Sequence, residues 1–102
     1  MTVDVWTLPA RTAHVVHALM FGTEPGGGGA YGPFTTAEVC VWDAPWEALT
    51  PRHTAAALRH AQRLGLVAYV PGGYWIPTNR ALEQRRVFGE RFLRDEELEG
   101  RA

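Results

Sequence analysis

Thr50-Pro51-Arg52-His53-Thr54-Ala55-Ala56-Ala57-Leu58-Arg59-His60-Ala61-Gln62-Arg63-Leu64-Gly65 opens the stretch that decides the fold, and Leu66-Val67-Ala68-Tyr69-Val70-Pro71-Gly72-Gly73-Tyr74-Trp75-Ile76-Pro77-Thr78 completes it. Thr50 suits an N-cap, and Pro51 suits the first helical position, where its missing N–H is not needed and its fixed φ already matches a helix. The small or apolar residues Thr54, Ala57, Leu58, Ala61 and Leu64 recur at the spacing of one buried helical face. The other face carries Arg52, His53, Ala56, Arg59, His60 and Arg63, cationic and without an acid. Gly65 stands where a left-handed cap ends a helix. Two β-prone runs follow, Leu66 to Val70 and Tyr74 to Ile76, joined by Pro71-Gly72-Gly73 and stopped by Pro77.

The unit of helix, glycine, strand, glycine-rich turn and strand resembles a winged helix-turn-helix domain of the MarR or PadR kind. The likeness rests on Thr50-Pro51 opening the second helix of the motif and on Ala57-Leu58 and Leu64-Gly65-Leu66-Val67 closing it. Gly73-Tyr74-Trp75-Ile76-Pro77-Thr78 matches the return from the wing. The resemblance implies an α+β, mainly α, fold with a three-helix core, a β-hairpin wing and an extra C-terminal helix. It also implies sequence-specific binding of double-stranded DNA by a small transcriptional regulator, with residues 51–64 in the major groove. On that expectation Arg52 and Arg59 make bidentate contacts to guanine, while His53, Ala56 and His60 add hydrogen bonds and a thymine-methyl contact. Arg63 holds phosphate, as do the N–H groups from Thr50 to Arg52 at the helix start. The turn at Pro71-Gly72-Gly73 has no Lys or Arg, so Arg80 behind it is expected to supply the electrostatic contact there.

The charge distribution agrees with that footprint better than the net charge of −1 does. Residues 1–49 set one Arg against five acids, residues 50–86 set six Arg against Glu83 alone, and residues 87–102 set three Arg against five acids. A basic island between acidic flanks is what a nucleic-acid face requires. Every basic residue is Arg and none is Lys, a usage that fits the coding bias of a high-GC bacterium or its phage.

At 102 residues the chain is expected to form one domain with a modest core. No apolar run approaches the roughly 20 residues that span a bilayer, and the N-terminus lacks the pattern of a signal peptide, so a cytoplasmic protein is expected. Cys40 is the lone cysteine, which excludes an internal disulfide.

Leu8, Thr12, Val15, Val16, Leu19 and Met20 give helical spacing over Thr7–Phe21. His14 and His17 on that helix lack an evident third metal ligand. The loop 23–33 contains four consecutive glycines but neither the Lys nor the Ser or Thr that a phosphate-cradling loop needs. Thr35 and Glu38 form a capping box for a second helix, with Phe34 as its staple, that ends before Pro45. The turn 43–49 follows, and Trp42 and Trp46 are expected to fill core volume beside Thr54, Ala57 and Ala61. A last helix is expected from Asn79 to about Leu98, with Leu82, Phe88 and Phe92 packed inward and Val87 or Leu93 left for a homodimer partner. No catalytic constellation, cofactor motif or zinc spacing is present, so an enzyme is not expected. The alternative expectation is a winged helix that docks protein and does not bind DNA.

Overall fold

The computed structural model describes residues 3–21, 33–42 and 50–100, the side chains of 40–42 and 96–100 excepted. The expectations for the glycine-rich loop up to residue 32, for the turn 43–49 and for the side chains of Cys40, Trp42 and Trp46 lie outside the described residues. In chain order the elements are a 3-10 turn at Val5–Thr7, α1 (Ala10–Phe21), α2 (Thr36–Trp42), α3 (Pro51–Arg63), β1 (Val67–Val70), β2 (Tyr74–Pro77), α4 (Asn79–Glu83) and α5 (Arg85–Gly100). The architecture is α+β and mainly helical.

The first helix starts later than its apolar spacing suggests. Leu8 precedes Pro9, and the proline ring disfavours helical backbone at the residue before it. Leu8 is accordingly extended, and Val5–Thr7 form a separate 3-10 turn capped by Asp4, whose carboxylate accepts from the Trp6 N–H at 3.1 Å. Every residue from Thr12 to Met20 is buried, so α1 is enclosed on all sides and not on one stripe. α3 and α5 are its principal neighbours, with α2 and β2 completing the shell. Val15, Val16, Leu19 and Met20 from α1 meet Val39, Leu58, Leu66 and Phe88 in one cluster. Full burial of such a side chain is worth roughly 1.5–3 kcal/mol.

The capping box forms as expected: the Thr35 N–H donates to Glu38 Oε1 at 3.0 Å and the Glu38 N–H donates to Thr35 Oγ1 at 3.2 Å. Immediately before it, Phe34 makes a two-way backbone bridge to Trp75, with Phe34 N donating to Trp75 O at 3.1 Å and Trp75 N to Phe34 O at 2.8 Å. β2 therefore has β1 on one edge and Phe34 on the other. β1 and β2 are antiparallel in the register Val67↔Pro77 to Val70↔Tyr74. Gly72 and Gly73 at the tip have φ of 101° and 88°, which only glycine adopts readily.

The expected single C-terminal helix is two. α4 and α5 part at Gln84, whose φ of −108° and ψ of 17° leave the helical region. The cause is a long-range clasp: Gln84 Nε2 donates to the Val3 carbonyl at 2.6 Å, and the Val3 N–H donates back to Gln84 Oε1 at 3.1 Å. Further along, the Arg91 guanidinium is 6% exposed and donates through Nη1 to the carbonyls of Val5 at 2.6 Å and Leu8 at 2.5 Å. Its Nε donates to Asp95 Oδ2 at 3.2 Å. The N-terminal turn is thus sewn to α5.

Two substitutions test these supports. Gly65 has φ of +76°, and a Cβ there would lie 3.0 Å from Arg80 Nη1. Gly65→Ala is expected to lower the urea midpoint by the equivalent of about 1–2 kcal/mol at unchanged m-value. Arg91→Met strands two carbonyls and removes a partner of Asp95, and in the same titration is expected to cost roughly 3–5 kcal/mol, as breaking a buried ion pair does.

Candidate nucleic-acid interface

α3 is built to present one face outward. Thr50 Oγ1 accepts from the His53 N–H at 3.2 Å, and Pro51 occupies the first turn. The inward residues Thr54, Ala57, Leu58 and Ala61 are buried. Three of the four are small, which lets α3 lie close to α1 and α2. At its far end the chain closes in a Schellman pattern: Leu66 N donates to Ala61 O at 2.9 Å and Gly65 N to Gln62 O at 3.0 Å. That turn aims the chain directly into β1.

Arg52, His53, Ala56, Arg59 and Arg63 are all exposed on α3, as the spacing requires, and no acid interrupts them. At ~1.5 Å rise per residue the helix offers a face about 20 Å long, the scale of a segment lying in the DNA major groove. Thr50 is exposed at its start, where unpaired N–H groups and the helix dipole attract anions.

Two expected contacts are placed differently from the rest. His60 is half-buried and shares a hydrogen bond with Thr12 through Nδ1 at 2.9 Å, which ties the last turns of α3 to α1 and leaves Nε2 as its other polar atom. Arg80, on α4, donates from Nη1 to the Leu64 carbonyl at 3.1 Å. A guanidinium at that point satisfies one of the open carbonyls of α3 and meets the negative end of its dipole. The same knot includes Thr78, whose hydroxyl donates to the Gly65 carbonyl at 2.6 Å and whose N–H donates to the Leu66 carbonyl at 3.0 Å.

The charge-based reading passed over Gln62, which is exposed on α3 beside Arg59 and Arg63. The signal that would have found it is the helical period itself, since residues three apart on a helix are surface neighbours. On the hairpin, Tyr69 and Tyr74 are exposed, and no residue from Leu66 to Thr78 is charged. A Cβ on Gly72 would meet the Tyr74 ring at 3.1 Å, and one on Gly73 would meet Tyr69 Oη at 3.6 Å, so both rings fold back over the glycine tip.

His14 and His17 do not share a site open to a ligand. His14 Nε2 lies 2.8 Å from Asp95 Oδ2, and His17 is stacked between aromatic rings under α5. Among the described residues no group of three or more His, Cys, Asp or Glu is placed to hold a metal ion. Nor is any described helix long and apolar enough to cross a membrane. Comparison with known protein families, with curated proteins and with solved structures found no match for the chain.

The Arg80 bond separates a positioning role from direct anion contact. Arg80→Ala is expected to lower stability by about 0.5–1 kcal/mol in a thermal melt, the scale of one exposed cap at a helix dipole. Arg59→Ala, which has no protein partner among the described contacts, is expected to leave the melt within about 0.5 kcal/mol of the parent.

Proposed function

We propose that this protein binds double-stranded DNA in a sequence-specific manner and acts as a small transcriptional regulator of winged-helix type. The observation that carries the reading is the outer face of α3: Arg52, Arg59 and Arg63, exposed, with no acid among them, on a helix whose inner face is locked into the core. The order of elements supports it. Three helices in succession, followed by a hairpin and further helix, agree with the order that a winged helix-turn-helix implies.

On this reading α3 lies in the major groove. Arg52 and Arg59 contact guanine edges, His53 hydrogen-bonds, Ala56 meets a thymine methyl, and Arg63 holds phosphate together with the N–H groups that follow Thr50. His60 reaches DNA only through Nε2, and Arg80 acts mainly by holding the end of α3. A second copy, joined through the C-terminal helix, would let the protein read two half-sites. Leu93, 66% exposed, is an apolar side chain of α5 open to that contact.

A protein-docking reading is favoured by one specific feature, the uncharged hairpin with its exposed Tyr69 and Tyr74. Salt separates the two, because counterion release accompanies phosphate binding and is absent from an aromatic interface. Fluorescence anisotropy against a random-sequence duplex at low and moderate salt is expected to show affinity falling steeply as salt rises. Arg63→Ala should reduce the slope of log K on log salt by about 1, as loss of one phosphate contact does. Arg59→Ala should cost ~1–3 kcal/mol on a selected site and relax preference at one base pair. Absence of binding at low salt would overturn the DNA reading in favour of docking.

A further inference from the structure

The interface between α1 and α5 holds two imidazoles. His17 sits between Phe92, at a centroid distance of 3.9 Å and 5° between planes, and Phe21, at 4.4 Å and 20°. The Arg85 guanidinium lies 4.6 Å from the Phe21 centroid. Gly89 makes room for this stack, since a Cβ there would stand 3.3 Å from Phe21 Cζ. On the same side of α1, His14 shares its hydrogen bond with Asp95 and sets its ring edge-on to Phe92 at 5.9 Å. Asp95 also accepts from Arg91 Nε at 3.2 Å and, through Oδ1, from Arg94 Nη2 at 3.2 Å.

A neutral imidazole suits this setting, and an imidazolium does not. Protonation of His17 would place a charge in a stack that excludes water, beside His14 and one ring away from the Arg85 cation. Burial, with a smaller contribution from His14, pushes the His17 imidazole down to about 3. Burial also lowers His14, outweighing the opposing pull of the Asp95 hydrogen bond and charge. Asp95 is held below the usual carboxylate range: burial acts to raise it, and the bonds from His14, Arg94 and Arg91 outweigh burial.

Among the described side chains, the charged groups that α5 turns to the pair are Arg85, Arg91, Arg94 and Asp95. α3 brings His60 only as far as Thr12, and the 3-10 turn has no ionisable side chain. Among the described side chains, the ionisable groups of α2 and β2, Glu38 and Tyr74, are exposed, as are Arg80 and Glu83 on α4.

We propose that α5 is an acid-labile layer of this protein: as the solution turns acid, proton uptake at His17, and secondarily at His14, releases α5 from α1 while the body built of α1, α3 and the hairpin stays folded. The principal contacts of α5 are with α1, the N-terminal turn and α4, whereas α3 and the hairpin are joined to α1 and to each other. The sign follows from linkage. An imidazole freed from the interface titrates near 6.5, whereas docked His17 titrates at about 3 and docked His14 is lowered. Docking is therefore unaffected above that pH and weakens below it, by up to tenfold per unit through His17 and in the same direction through His14. The device does not depend on the DNA reading.

Native-state amide exchange at pH 6.5 and 4.5, corrected for intrinsic chemistry, tests it. Opening constants for amides from Arg85 to Asp95 are expected to rise about 100-fold, with much smaller changes in α3 and β1. His17→Phe keeps an aromatic ring in the stack and is expected to abolish most of that rise. Equal rises in α3 and α5, or an undiminished rise in His17→Phe, would overturn the proposal. If that variant fails to fold, the His17 ring resonances of the parent decide: a midpoint well below 6.5 supports the device, and one at or above 6.5 overturns it.

Discussion

Enclosure of α1 on every side is the constraint from which the rest of the arrangement follows. Thr12, which faces α3, and His14, which faces α5, are two residues apart and so point to nearly opposite sides of a 3.6-residue helix. A 12-residue helix buried from both directions places two outer layers at a fixed separation. One layer is α3 with its cations, and the other is α5 with its mixture of acids and arginines. Neither needs to touch the other for its position to be set. Interiors packed at the density of organic crystals transmit such placement through the intervening helix.

The knot at the end of α3 does for direction what α1 does for position. Gly65, Thr78 and Arg80 satisfy the last carbonyls of α3 and the first groups of the hairpin within one small region. A helix end left open would fray, and the outermost Arg63 would lose its place. Arg80 therefore shows how a cation counted toward a binding face can serve that face indirectly. Its Nη1 reaches backbone, and its contribution to any anion site passes through the orientation of α3.

Local signals in the sequence carried much of this. The Thr50 cap, the Gly65 stop, the Thr35–Glu38 box and the two hairpin strands depend on neighbours within a few residues, and each stands close to where the pattern puts it. What the sequence did not disclose depends on residues far apart in the chain. Gln84 breaks the last helix by clasping Val3, 81 positions away, with no proline or glycine to announce it. Arg91 reads as a surface cation until the carbonyls of Val5 and Leu8 are placed around it. His14 and His17 fall off the apolar stripe of α1 and look solvated, because the sequence cannot show that α5 covers that side. The same limit applies to the interface: helical period located Arg52, Ala56, Arg59 and Arg63, but only a tertiary contact turns His60 toward Thr12.

Near-neutral net charge is compatible with an anion-binding face when the two signs are segregated. Fields of exposed charges fall off over a Debye length of ~8 Å at physiological salt, so an approaching polyanion responds to the nearest face and not to the sum. The outer side of α3 offers Arg52, Arg59 and Arg63 with no acid among them, whereas on α5 Glu90 and Asp95 stand among Arg85, Arg86, Arg91 and Arg94. On the proposed reading an approaching polyanion finds on the outer side of α3 cations that no neighbouring acid offsets. Three arginines give weak non-specific affinity, because each phosphate contact adds only one unit of counterion release. Specificity must then come from the short list of side chains that α3 turns outward, Gln62 among them. A protein built this way gains selectivity by having little attraction to spare.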